Sequence, residues 1–173
     1  MAVDIYRPEL WNDFFVMVGG AAAVLTGLVF VALSLHIDVI AHDATHRYRA
    51  IGTLAGFSAA FMTCALVLMG GQDHTWVGIE WLVVAGLAGI IYVYGYVRAI
   101  RMGGSPAGLS AARLAAGTAL YVAEIAGAIF LILGYVVGLY VAVVSMIILL
   151  VWGISGAWLL VIGVQHEKAG MSG

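Results

Sequence analysis

A single carboxylate interrupts the longest apolar stretch of this chain: Glu124 is the one charged residue among the 52 at positions 114–165. An ionisable group at bilayer depth is costly to bury, faces a bundle interior or a wet cavity, and marks an ion or proton pathway. Glu124 follows Arg113 by eleven residues, about 16 Å along a helix axis, which is close to the midplane of a membrane. Its neighbours at helical spacing are Leu120, Tyr121, Gly127 and Ala128, with Gly117 a turn further back. That small-residue face is expected to meet another helix. Thr26, Thr63 and Ser155 lie at comparable depth in other runs, so Glu124, Tyr121, Thr26, Thr63 and Ser155 are the candidate ion or proton residues. Two readings stay open. One is a proton or small-cation site; the other is a protonated carboxyl hydrogen-bonded to a neighbouring hydroxyl or backbone carbonyl.

A weaker constellation comes earlier. Asp38, His42 and His46 recur every four residues and would share a face on a continuous helix, where carboxylate and imidazole could ligate zinc or iron. Against this stands their place in the chain, between two apolar runs, where the backbone must turn back and a solvated loop is the simpler expectation. Gly153-Ile154-Ser155-Gly156 is similar to the Gly-x-Ser-Gly pattern of the rhomboid intramembrane proteases. A serine nucleophile needs a base within hydrogen-bond reach, and all five histidines, at 36, 42, 46, 74 and 166, fall at run ends or in connections. No phosphate-cradling or dinucleotide glycine loop is present, and the lone lysine, Lys168, lies in the tail. The sequence therefore predicts no catalytic residue and no cofactor.

The elements that must position these side chains follow from composition. Of 173 residues 64% are hydrophobic and only 9% charged, and the mean hydropathy is +1.10. A soluble domain is about half apolar and about a quarter charged, so there is too little polar surface here to face water all round. The net charge of -2 argues against a nucleic-acid surface. A span needs about 20 apolar residues to cross ~30 Å of hydrocarbon. Charges delimit runs at 14–35, 50–72 and 77–97, the last closed by Tyr92, Tyr94 and Tyr96 before Arg98, as a headgroup interface favours. As one helix, positions 114–165 would reach about 78 Å, so two spans are expected, 111–133 and 139–164, turning near Gly134 and Gly138, which can supply positive φ. The expected fold is an all-α membrane protein, a single transmembrane domain over 1–173 built as a five-helix transmembrane bundle.

Orientation is read from the cations. Arg47 and Arg49, then Arg98, Arg101 and Arg113, then Lys168 fall on alternate sides from Arg7, so six of the seven positive charges share one face. The positive-inside rule then places the N-terminus outside and the C-terminus in the cytoplasm. The opening Met-Ala-Val-Asp lacks the basic start of a cleavable signal, so the first span is expected to be kept. Pro8 to Asp13 reads as an interfacial lead-in to that span, while residues 103–108 form a glycine-rich cytoplasmic linker after which Ser105 or Ser110 could cap the next helix.

Small residues repeat every four positions: Gly19, Ala23 and Gly27; Gly52 and Gly56; Ala119, Ala123 and Gly127. In lipid, helices associate through such close-packing surfaces. Five helices can bury only some of them among themselves, so the sequence predicts a homo-oligomer or a subunit of a larger membrane complex, with membrane lipid as its other partner and no nucleic acid. The Gly19, Ala23, Gly27 stripe is the expected intersubunit surface.

The segments Trp11-Asn12-Asp13-Phe14-Phe15, then Gly19-Gly20-Ala21-Ala22-Ala23-Val24-Leu25-Thr26-Gly27-Leu28-Val29-Phe30-Val31-Ala32-Leu33-Ser34, then Thr45-His46-Arg47-Tyr48-Arg49-Ala50 resemble a family of small uncharacterised multi-span membrane proteins from actinobacteria. Some of its members are labelled modulator of a membrane AAA protease. The resemblance covers roughly the first two spans and implies a multi-pass protein of the bacterial plasma membrane, with no reaction attached. Together the observations lead to the expectation of a non-enzymatic scaffold or accessory subunit, with a proton or small-cation channel through Glu124 as the alternative.

Overall fold

A computed structural model of the protein describes residues 7–37, 40, 44–102 and 111–171. A 3-10 turn at Pro8–Trp11 leads into α1, Asn12–Ser34; there follow α2, Ala44–Val67, α3, His74–Arg101, α4, Ala111–Ile132, and α5, Val136–Met171. Five helices are long and apolar enough to cross a membrane, and the fold is all-α. Asp38 and His42 lie outside the described residues, as do Ser105 and Ser110.

The helices overrun the apolar runs, because a charge marks where lipid ends and not where backbone hydrogen bonding ends. α2 begins at Ala44, before Arg47 and Arg49, and α3 continues through Arg98 and Arg101. Both arginines stand in the last turn of α3, where cations complement the helix dipole. The second run shows the opposite correction. It was expected to continue to position 72, but α2 stops at Val67 and the chain turns through Gly70 and Gly71, the latter at φ +85°. Asp73 then caps α3, its carboxylate accepting from the Thr75 and Trp76 amides at 2.9 and 3.0 Å, which satisfies two of the orphan donors of a helix start. Gln72 Nε2 reaches both carboxylate oxygens of Glu80 and fastens the same turn, at 3.1 and 3.0 Å.

Between α4 and α5 one left-handed residue is enough. Gly134 takes φ +82°, its amide donating to Leu131 O and that of Tyr135 to Phe130 O, both at 2.9 Å, the usual glycine closure of a helix end. Gly138, expected to share the turn, is already inside α5. Its hydrogen side chain serves contact instead: a Cβ there would lie 2.5 Å from Gly127 O and from Leu131 N. Gly127 and Gly138 thus let α4 and α5 touch backbone to backbone, the kind of approach that holds helices together in lipid.

α2, α3, α4 and α5 close into a ring, each packed on its sequence neighbour and α5 returning against α2. α1 stands outside this ring on α2, with only a small contact to α5. Its inner face sends Phe15, Val18 and Ala22 into the core, where they meet Cys64 of α2, Trp81 of α3 and Met146 of α5. Phe15 sets its ring edge-on to Trp81 at 6.1 Å between centroids.

Candidate functional site

Glu124 projects from α4 into the middle of the ring and is 5% exposed. The indole of Trp81, itself 1% exposed, donates from Nε1 to Glu124 Oε1 at 3.0 Å. The two residues are 43 positions apart and join α3 to α4. Trp81 can reach because Gly78, one turn earlier on α3, brings the helices together; a Cβ on Gly78 would meet Ala128 O and Ile132 N at 3.0 Å. Tyr121, one turn before Glu124, is buried as well. The carboxyl is therefore buried where α3 meets α4 and held by a neutral donor.

The other candidates do not gather around it. Thr26 Oγ1 donates to Ala22 O at 2.8 Å within α1, and α1 is outside the ring. Thr63 is buried on α2. Ser155 is exposed near the middle of α5, donating to Trp152 O at 2.7 Å and accepting from Arg113 Nη2 at 3.2 Å. Its partner Arg113 is eleven residues from Glu124 along α4, about 16 Å, so Ser155 stands at the arginine end and not at the depth of the carboxyl. A serine buried in the core was missed: Ser145 of α5, which donates to Val141 O at 2.8 Å. His46 is half-buried at the start of α2, and its two proposed fellow ligands fall outside the described residues.

Of the packing residues, Gly19 fits against Cys64, where a Cβ would come to 2.9 Å of the cysteine Cβ. Ala23 and Gly27 are exposed, with nothing within 4 Å of the Gly27 position. The expected stripe is thus divided, its first residue inside the bundle and the next two facing out. Gly52 and Gly56 face inward, their Cβ positions 3.8 Å from the Tyr92 ring and 3.4 Å from the Tyr121 hydroxyl. Ala123 is half-buried.

Beside Tyr121, toward the arginine end, lies a partly open cavity of about 70 Å³, room for about five waters at ~15 Å³ each. Arg49 and Arg113 line it, with Tyr48, Thr53, Tyr92 and Tyr96. Tyr92 donates to Arg113 O at 2.9 Å, and its ring lies 5.6 Å from that of Tyr121. The Arg113 guanidinium stacks on the Trp152 ring, 4.9 Å from its centroid, a cation–π contact. The three tyrosines expected in an interfacial belt are split by this arrangement. Tyr94 is 61% exposed, whereas Tyr96 is buried and Tyr92 half-buried, both lining the cavity. Spacing by four puts Tyr92 and Tyr96 on one helix face and Tyr94 on another, a signal present in the sequence. Nothing comparable pointed to Trp81 as the partner of Glu124.

No protein family matches the chain, and comparison with curated proteins and with solved structures finds no match.

Proposed function

We propose that this protein is a non-enzymatic integral membrane protein that acts by assembling, as an oligomeric scaffold or an accessory subunit of a membrane complex. One observation carries the reading: α1 stands outside the helix ring and turns Gly20, Ala23 and Gly27 outward, with nothing within 4 Å of either glycine position. Inside the bundle, small residues are used wherever two helices touch, as at Gly19, Gly78, Gly127 and Gly138. The same surface left open on the most peripheral helix suits a second helix, from another copy of this chain or from a larger complex. The enclosure of Glu124 by a neutral donor supports the reading, since a carboxyl tied to Trp81 can hold α3 to α4 without conducting anything.

The same proposal puts the protein in the bacterial plasma membrane with the N-terminus outside and the C-terminus in the cytoplasm. Support comes from the arginines: Arg47, Arg49, Arg98, Arg101 and Arg113 all cluster at the end of the bundle where α2 and α4 start and α3 stops. The resemblance to the actinobacterial family agrees with that membrane.

The second reading, a proton or small-cation path through Glu124, has one observation in its favour. Tyr121 lines the cavity and stands one helical turn from the carboxyl, so a single side chain separates them. Two experiments divide the readings. Replacing Ala23 and Gly27 together with leucine is expected to release monomer without unfolding it, and retention of the native assembly would defeat the scaffold reading. Proteoliposomes are expected to pass protons and potassium no faster than protein-free vesicles; a flux abolished by Glu124→Gln with assembly intact would establish the path.

A further inference from the structure

We propose that the cavity between Arg49 and Arg113 binds a phosphate-type oxyanion, either free phosphate or the phosphate of an anionic lipid headgroup. Two arginines, one from α2 and one from α4, line the same partly open space, and no carboxylate lines it among the described residues. Arg49 lies in the repulsive field of Arg113. Its Nη2 is buried and donates to no acceptor. A buried donor left without a partner is costly, the more so on a charged group, and two like charges sharing a cavity compound that cost. An oxyanion would accept the idle N–H of Arg49.

The rest of the lining suits that ligand. Guanidinium presents a planar fork that matches phosphate oxygens bidentately, which an ammonium does not. Thr53, whose hydroxyl lies beside the Gly156 position, adds a neutral polar group to the same lining. A neutral apolar ligand would leave Arg49 Nη2 idle, and a cation would meet two positive charges. The void is kept open by missing side chains. A Cβ on Gly52 would have the Tyr92 ring at 3.8 Å as its nearest neighbour, and one on Gly156 would meet Thr53 Oγ1 at 3.6 Å and Arg113 Nη2 at 3.8 Å. Those are ordinary contact distances, so packing alone does not require glycine at either place. Both glycines line the cavity, and a methyl group on either would intrude on it. Basic pockets between membrane helices are known takers of anionic headgroups.

The test uses the full chain, purified in a nonionic detergent, with two probes: sodium phosphate and phosphatidylglycerol. Binding is read by native mass spectrometry and by the midpoint of thermal unfolding. One saturable equivalent per chain is expected, weakened at least about tenfold in Arg49→Gln, the scale of a lost hydrogen bond to a charged group, and unchanged in Arg47→Gln, whose side chain does not line the cavity. Saturation by phosphate alone identifies the free anion; saturation by phosphatidylglycerol alone identifies the headgroup. Either supports the site. Should Arg49→Gln fail to fold, Gly52→Ala with Gly156→Ala fills the cavity while favouring helix, and the same loss of binding is expected. Absence of saturable binding by both probes, or binding by Arg49→Gln or the double alanine variant equal to wild type, would overturn the proposal.

Discussion

If Glu124 is a tie between helices, its contribution to stability depends on Trp81, and the dependence can be measured. The bond is single, 3.0 Å long, and buried at both ends. Hydrogen bonds between helices within membranes contribute about 0.6 kcal/mol on average and up to ~1.7, because the unfolded state in lipid also finds partners. Burial of both groups puts this one toward the upper figure. Glu124→Gln keeps an acceptor oxygen in place and is expected to change stability by no more than about 0.5 kcal/mol, well below the cost of losing the bond. Glu124→Leu removes the acceptor and leaves the Trp81 N–H idle, costing about 1–2 kcal/mol. Trp81→Phe loses the donor and some ring packing against Phe15, costing about 2 kcal/mol in all. In the double variant the idle donor is gone, so the cycle should return a coupling of about 1 kcal/mol. Reversible unfolding in mixed detergent and dodecyl sulfate micelles reads wild type and all four variants. A coupling indistinguishable from zero, or a Gln variant as unstable as the Leu variant, would refute the tie.

Other expectations follow from particular contacts. Gly138→Ala would drive a methyl group against Gly127 O and Leu131 N and should cost several kcal/mol, about as much as a severe overpacking substitution, in the same unfolding assay. Gly134→Ala, at φ +82°, is expected to cost about 1–2 kcal/mol through backbone strain alone. Asp73→Ala removes the cap of α3 and should cost about 1 kcal/mol. Cys64, 1% exposed, is expected to resist maleimide in the folded protein and to react fully once it is unfolded. In a Cys64→Ser background, single cysteines at Asp73 and Val136 should be labelled from outside whole cells by an impermeant reagent and one at Ser105 should not; labelling at Ser105 would reverse the orientation.

How much of this could be read from residues alone depends on what kind of signal each feature leaves. The spans are legible because hydrocarbon excludes charge, and five helices meet that test in the structure. Helix ends are less legible. Gly70 and Gly71 carry no charge to mark a boundary, yet Gly71 turns the chain, while Arg98 and Arg101 look like a boundary and are helical. Glu124 stood out by being alone, and its depth follows from counting. Its partner did not, because Trp81 is an indole in an aromatic-rich chain and only the α3–α4 packing chooses it. The cavity was hidden for a similar reason. Arg49 and Arg113 belong to different helices and read as topology signals, Tyr92 and Tyr96 read as interface, and Gly52 and Gly56 read as packing. Only the closure of the ring brings those six to one place.

The central claim is that this protein works as part of an assembly, and its mass in a native membrane patch tests that most directly. Nanodiscs excised from cell membranes without prior detergent, analysed by native mass spectrometry, should release a species heavier than the 18.2 kDa chain. The expected mass is a whole-number multiple of the chain or the chain with a partner protein, falling to the single chain when Ala23 and Gly27 are both leucine. A wild-type protein that leaves the membrane as one chain, with nothing bound but lipid, would contradict the account.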